Sequence, residues 1–203
     1  MAWAPAYVTN TVMRHYVSVA DDQDDVELDS AIESASRAVD RETNRQFGLV
    51  TAEQRFYTGY WDKKRCRWVV EFDDLMSTTD FAAIIVDSEG VTVGTINDYV
   101  LEPRNAAVKG RPWTQMLIRP NSNFKPTGVE DEVGVTAPWG WTSFPETIVN
   151  ATKLQASRFL KRKDAPFGVA GSLELGSEIR LLAKVDPDVA VMLGSYRRWW
   201  ASA

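Results

Sequence analysis

The sequence predicts an α+β protein: a helical bundle of four to five helices drawn from the N- and C-terminal segments, with a small antiparallel β module inserted between them. Three observations carry this expectation. Both ends of the chain repeat apolar residues at helical spacing, and the stretch from about Gln54 to Ala137 switches to short runs rich in β-branched and aromatic types. Capping signals then mark where helix resumes. The expected division is 1–50 for the N-terminal helical part, 51–142 for the inserted β module and 143–203 for the C-terminal helical part with its tail. A chain of 203 residues that is 44% apolar can bury a proper core.

In the N-terminal part, Thr9 is placed to cap a short helix carrying Val12, Met13, Tyr16 and Val17. The acidic run "DDQDDVELD" precedes a longer helix in which Leu28, Ile32, Ala35 and Val39 follow the i, i+4, i+7 pattern, continued by Thr43. Glu33, Arg37, Asp40 and Arg41 fall away from that stripe, and Gly48 is placed to end the helix. The acidic run is not an EF-hand loop, because neither register supplies the turn glycine at the sixth position. Acids gathered at a helix N-terminus, where the macrodipole favours them, explain it better.

The central runs "RFYTG", "RWVVEF", "FAAIIV", "DYVLEP", "QMLIRP" and "EVGVTA" read as strands, with Asp87–Gly90 and Pro120–Asn123 as turns. Helix returns at "TSFPETI", where Ser143 and Glu146 have capping-box spacing and Pro145 loses nothing in the first turn. Ile148, Val149, Ala151, Thr152, Ala156, Phe159 and Leu160 then share one broad face. A further helix is expected from Ser177 through Ile179, Leu181, Leu182 and Val185. Asp186 and Pro187 form a cap and first-turn pair for the last helix, through Val189, Met192 and Leu193.

Composition excludes several classes of function. One Cys, Cys66, cannot form an internal disulfide, and with one His, His15, a His/Cys metal site lacks ligands. No apolar run approaches the roughly 18 to 20 residues of a membrane span, and the start lacks a signal peptide's pattern, so the chain is expected to begin in a cytoplasm, with no membrane partner. The net charge of −5 argues against wrapping nucleic acid by phosphate neutralisation. Its distribution is bipolar: residues 1–50 hold four basic and nine acidic groups, 51–150 ten and fourteen, and 151–203 nine and five. Scattered surface charge accounts for this as readily as head-to-tail pairing between copies, or an acidic face and a basic face meeting different partners.

No motif supplies an active site, and no cofactor or enzymatic activity is expected. The loop "KRKDAPFGVAGSLELG" has Lys161, Arg162, Lys163 and Asp164 at its entry, Phe167 and Gly168 in its middle, and Gly171 and Gly176 beyond. It is not a P-loop, because Gly171 is followed by Ser172 and Leu173 and a helix precedes it. Its basic entry complements a helix C-terminus, while its apolar middle must tuck onto a core or meet a partner. The acid pairs Asp73/Asp74 and Asp98/Glu102 read as turn residues. Trp139 and Trp141 in "APWGWTSFP" are expected to lock a junction within the core rather than to stack sugars. The tail is different. Tyr196, Arg197, Arg198, Trp199 and Trp200 combine the residue types that dominate protein interfaces, and two adjacent indoles at a chain end are hard to bury in one small domain.

The order of pieces resembles the head-tail connector, or head-to-tail adaptor, proteins of long-tailed double-stranded DNA bacteriophages. The stretches that carry the resemblance are "YVTNTVMRHYVSV", "LDSAIESASRAVDRETNRQFG", "DYVLEPRN", "VGVTAPWGWTSFPETIVNATKLQASRFLKRKDAPFG" and "DPDVAVMLGSYRR", which together touch most of the chain. The resemblance implies a structural virion neck protein that forms a ring, usually of twelve copies, beneath the portal. Such a ring extends the DNA channel and joins capsid to tail at the capsid-tail junction, after assembly in the host cytoplasm. Expected partners are the portal protein, a tail-side connector (stopper) or tail-terminator protein, further copies of itself, and genomic double-stranded DNA that passes through without specific binding. By the same resemblance, Tyr196 to Trp200 are candidates for portal contact. Lys161 to Asp164, Phe167, Gly168, Gly171 and Gly176 are candidates for contact between copies or with the channel. Alternatives are a carbohydrate-binding or adhesion module using the β region, a metal-dependent DNA-modifying enzyme, and another neck protein such as a stopper or tail terminator.

Overall fold

The computed structural model describes residues 4–18, 25–164, 169–170, 179–180 and 186–199. Four helices and two four-stranded antiparallel sheets make it an α+β fold. The chain divides into two compact units, one of Gly48–Thr142 and one of Ala4–Phe47 with Ser143–Ala203. No described helix is long and apolar enough to cross a membrane.

The helical unit contains α1 (Asn10–Val17), α2 (Asp25–Thr43), α3 (Glu146–Asp164) and α4 (Pro187–Leu193). Thr9 caps α1 by accepting from the Val12 N–H, as its position predicts. Of the apolar residues of α1 only Met13 is fully buried, while Val12 and Tyr16 are exposed. The α2 stripe is buried as expected, with Leu28, Ile32, Ala35, Val39 and Thr43 all inside. Leu28, Ile32 and Ala35 join Met13, Val8 and Ala156 of α3 in one cluster, flanked by Val149, Phe159 and Leu160. The Asp186 carboxylate accepts from the Asp188 N–H with Pro187 in the first turn, the cap anticipated for α4.

Three local expectations are corrected. The helix ends at Thr43 rather than being stopped by Gly48, because Asn44 takes a left-handed conformation, φ 51°. The first hydrogen-bonded turn of α3 starts from the Pro145 carbonyl, which accepts from Ile148 and Val149, so the helix begins later than a cap at Ser143 implies. Ile179 and Arg180, expected in a helix opened by Ser177, form a two-residue strand, β10, paired antiparallel with β9 (Val169–Ala170). A short apolar run has no period long enough to separate the two states, and β pairing wins there.

The β unit holds two sheets with strand orders β1-β8-β4-β5 and β2-β3-β7-β6. The first is built from β1 (Glu53–Tyr57), β8 (Val133–Ala137), β4 (Ala82–Val86) and β5 (Thr92–Thr95), and the second from β2 (Gly59–Asp62), β3 (Arg67–Leu75), β7 (Trp113–Ile118) and β6 (Tyr99–Glu102). All six expected strands are present. The two not foreseen, β2 and β5, are four-residue edge strands. Alternate residues of both sheets feed a single core that includes Val70, Phe72, Ile85, Met116, Val133 and Trp139. Gly140 has a positive φ of 111°, and a Cβ there would lie 1.7 Å from the Gly48 carbonyl oxygen. Only glycine permits that approach, which lets the Trp141 N–H donate to Gly48 at 3.0 Å.

Candidate partner-docking surfaces

The tail after α4 begins as a cap for α2. A helix leaves its last carbonyls without intrahelical donors, and residues near the chain end supply them. The Arg198 N–H donates to the Thr43 carbonyl at 2.8 Å, and Arg197 Nε donates to the Glu42 carbonyl at 3.3 Å while its guanidinium pairs with the Glu42 carboxylate. In return Arg45 Nε donates to the Tyr196 carbonyl at 2.6 Å, and Asn44 Nδ2 donates to that of Arg198 at 3.3 Å. The Tyr196 ring meets Phe47 edge-on, with centroids 6.0 Å apart. A cation at this end of α2 also complements the macrodipole. Immediately beyond this anchored segment stands Trp199, 80% exposed.

Of the residues nominated for partner contact, Tyr196, Arg197 and Arg198 are thus engaged by their own α2, and Trp199 is presented to solvent on a fixed base. Trp200 lies outside the described residues. In the second set, Lys161 is exposed and Arg162 half-buried in the last turn of α3, where positive charge suits the carbonyl end of the helix. Phe167, Gly168, Gly171 and Gly176, and the side chains of Lys163 and Asp164, also lie outside what is described.

The acid pairs, expected in turns, lie mostly in strands, Asp73 and Asp74 in β3 and Glu102 in β6, and each acid is engaged by neighbouring side chains. Asp73 accepts from Arg55 at 2.6 Å and from the Tyr57 hydroxyl at 3.1 Å, and buried Asp74 accepts from Trp141 Nε1 at 2.8 Å. Asp98 pairs with Arg119 at 3.3 Å and Glu102 with Arg65 at 2.9 Å. Among the described residues, no group of three or more His, Cys, Asp or Glu is placed to hold a metal. Trp139 is fully buried, donating Nε1 to the Glu53 carbonyl at 3.0 Å with Arg55 over its ring, and Trp141 is buried too. Neither indole is available for stacking on a sugar.

Sequence reasoning missed one buried ionic cluster. Asp40, placed off the α2 stripe, is only 6% exposed. The Tyr7 hydroxyl donates to it and itself accepts from the Phe47 N–H at 3.0 Å, while Arg37 pairs with the carboxylate at 2.8 Å. Arg37 also donates to the carbonyls of Ala4 and Pro5, and the Tyr7 N–H donates to Ser36 Oγ at 3.1 Å. Burial pushes the Asp40 carboxyl above its ordinary range against the opposing pull of Tyr7 and Arg37, and burial together with Asp40 raises the Tyr7 phenol. With its oxygens occupied by neighbours from its own chain, this carboxylate pins the N-terminal segment to α2.

No family model and no curated protein matches this chain. Among solved structures, it is similar to a chain from the neck of an empty GTA particle, computed with C6 symmetry. The two are 17% identical, and the similarity covers 99% of this chain and 95% of that one at a TM-score of 0.60. The fold is shared with that neck chain. A chain from the neck of a native GTA particle, computed with C12 symmetry, is 17% identical over 96% of this chain and 95% of the other, at a TM-score of 0.46.

Proposed function

We propose that this protein is a structural virion neck component of the head-tail connector type. In this reading its copies form a ring beneath the portal, extend the DNA channel and join capsid to tail. The observation that carries it is the match of nearly the whole chain, helical and β parts together, to a chain of a particle neck solved with rotational symmetry. Copies related by rotation make heterologous contacts that close into a ring. The anchored tail supports a docking role, since a Trp held on a rigid base loses little freedom when a partner covers it. We assign Trp199 and Trp200, with Arg197 and Arg198 behind them, to the portal, and the segment from Lys161 to Gly176 to neighbouring copies or the channel. The tail side of the ring meets a stopper or tail-terminator protein. The net charge of −5 suits a lumen through which DNA slides without sticking. Assembly takes place in the host cytoplasm and the product resides in the virion neck.

Negative-stain imaging of the full chain mixed with a portal ring tests this reading. An added annular layer on one face of the portal is expected, and portal rings that stay bare at saturating protein would refute it.

A further inference from the structure

The β unit exposes two apolar margins, one rimmed mainly by acids and the other by bases. One is the β5 edge. β5 has a single ladder partner, β4, and its sequence Thr92-Val93-Gly94-Thr95 carries none of the Lys, Pro or inward charge that normally blunts an exposed edge. Val91, Val93 and Val129 are each more than half exposed around it, and Phe124 lies across Gly94, where a Cβ would come within 2.2 Å of the ring. Acids rim this apolar strip. Exposed Asp87 accepts from the Glu89 and Val91 N–H groups at 2.9 Å through Oδ1 and keeps its charge, and Glu89 and Glu130 are exposed alongside it, beside Lys125.

The other margin is β2 and its hairpin to β3. Tyr60 and Trp61 are 45% and 46% exposed, and Trp61 is propped edge-on against Trp68 at 5.7 Å. The turn that follows is basic. Arg65 is held by Asp62 and Glu102, whereas Lys63 and Lys64 are exposed and take part in no ion pair among the described residues.

Topology puts strands β2 and β5 at opposite margins of the unit, while the loop carrying Val129 and Glu130 reaches from the β5 side to the β1–β2 junction, where the Asp131 N–H donates to Thr58 Oγ1 at 3.0 Å. β1 passes into β2 through the single residue Thr58, so the β1 and β2 margins are neighbours, and β5 passes into β6 through residues 96–98, so the β5 and β6 margins are neighbours. β1 and β5 are the two ends of one sheet, and β2 and β6 the two ends of the other. A contact between the β2 margin of one copy and the β5 margin of another therefore uses different surfaces on the two copies and leaves one of each free to propagate.

We propose that the β2–β3 hairpin of one copy docks on the β5 edge of the next, with Tyr60 and Trp61 against the Val91/Val93/Val129 strip and Lys63 and Lys64 facing Glu89 and Glu130. The occupant of this edge is a second copy of this chain, because the basic aromatic hairpin that complements it is on the same molecule. This inference rests on the ring reading above and locates one of the ring's copy-to-copy contacts in the β unit.

The test is zero-length carbodiimide coupling of an equal mixture of ordinary and heavy-nitrogen-labelled full chains, alone and with a portal ring, followed by peptide mass spectrometry. Mixed-label peptides joining Lys63 or Lys64 to Glu89 or Glu130 are expected. They should disappear in K63E/K64E and in E89K/E130K. When the two reversed variants are mixed, both contacts between unlike chains are complementary, the reversed hairpin on the reversed edge and the native hairpin on the native edge, whereas contacts between like chains repel, so coupling should return in species that alternate the two variants. Cross-links confined to single chains, or mixed-label peptides at other sites only, overturn the proposal. Chains that co-sediment with the portal but yield none of these peptides overturn this contact and leave the neck reading intact. The peptides without portal binding do the reverse.

Discussion

If the tail caps α2, where the chain is cut decides whether stability or binding is lost. A chain ending after Ser195 loses the Arg198 N–H bond to Thr43, the Arg45 bond to the Tyr196 carbonyl, the Arg197 contacts with Glu42 and the Tyr196–Phe47 ring pair. Taking about 1 kcal/mol for each hydrogen bond, about 1 for the ring pair and little for the half-exposed ion pair gives about 3–5 kcal/mol. At about 2–4 °C per kcal/mol for a chain of this size, the melting midpoint of the helical unit should fall by about 6–20 °C. A chain ending after Arg198 keeps every one of these contacts and removes Trp199 and all that follows. Scanning calorimetry on both truncations makes the comparison, with the full chain as reference. The chain ending after Arg198 should melt within about 2 °C of the full chain, which corresponds to less than about 1 kcal/mol. Equal midpoints for the Ser195 truncation and the full chain would refute the cap. A chain ending after Ser195 is therefore unsuited to a binding assay, since it couples lost docking to a loosened α2.

Trp199→Ala should leave stability within about 0.5 kcal/mol, because the side chain is already in solvent, and should weaken portal binding by about 2–4 kcal/mol, or about 30- to 700-fold. Titration calorimetry against a portal ring reads this, and unchanged affinity would remove Trp199 from the interface. Gly140→Ala should cost more than about 3 kcal/mol in a urea melt, since the new Cβ meets a backbone oxygen that no rotamer change can move; a cost under about 1 kcal/mol would show that the Gly48–Gly140 approach is not required. For Asp40 the folded-state value is raised, so the folded chain binds the proton first. The burial penalty is then full above the raised value and gone below the ordinary 3.8. Urea melts from pH 7 to about 4 should therefore show wild type gaining stability relative to D40N as pH falls, and a flat or opposite difference would contradict burial as the dominant effect.

The parts of the fold that were legible in the sequence are those specified locally. The α2 stripe repeats over a helix of 19 residues, and the Thr9 and Asp186 caps depend on partners two or three positions away. The six recognised strands carry long β-branched or aromatic runs. β2 and β5 escaped because each is four residues long and is defined by its neighbour, Trp61 by its register with Trp68 and Thr92 by its register with Val86. Asp40 read as a surface residue because its burial is created by Tyr7 and Phe47, the first 33 positions away. The tail was legible in part. Trp199 stood out by its type and its place at the chain end, but the capping role of Arg197 and Arg198 depends on an encounter with α2 across about 155 positions, which no local pattern encodes. The exposed β2 and β5 edges of the β unit were not legible for the same reason, since they exist only once the sheets place them.

The central claim is that this chain works by being held between other structural proteins in a ring. Imaging portal rings incubated with the full chain, with rotational symmetry determined without imposing it, tests that most directly. The account predicts a closed annulus of density on one portal face, with a central opening and with the exposed tail at the portal side. Full-length protein that stays monomeric and leaves both faces of the portal bare would contradict it.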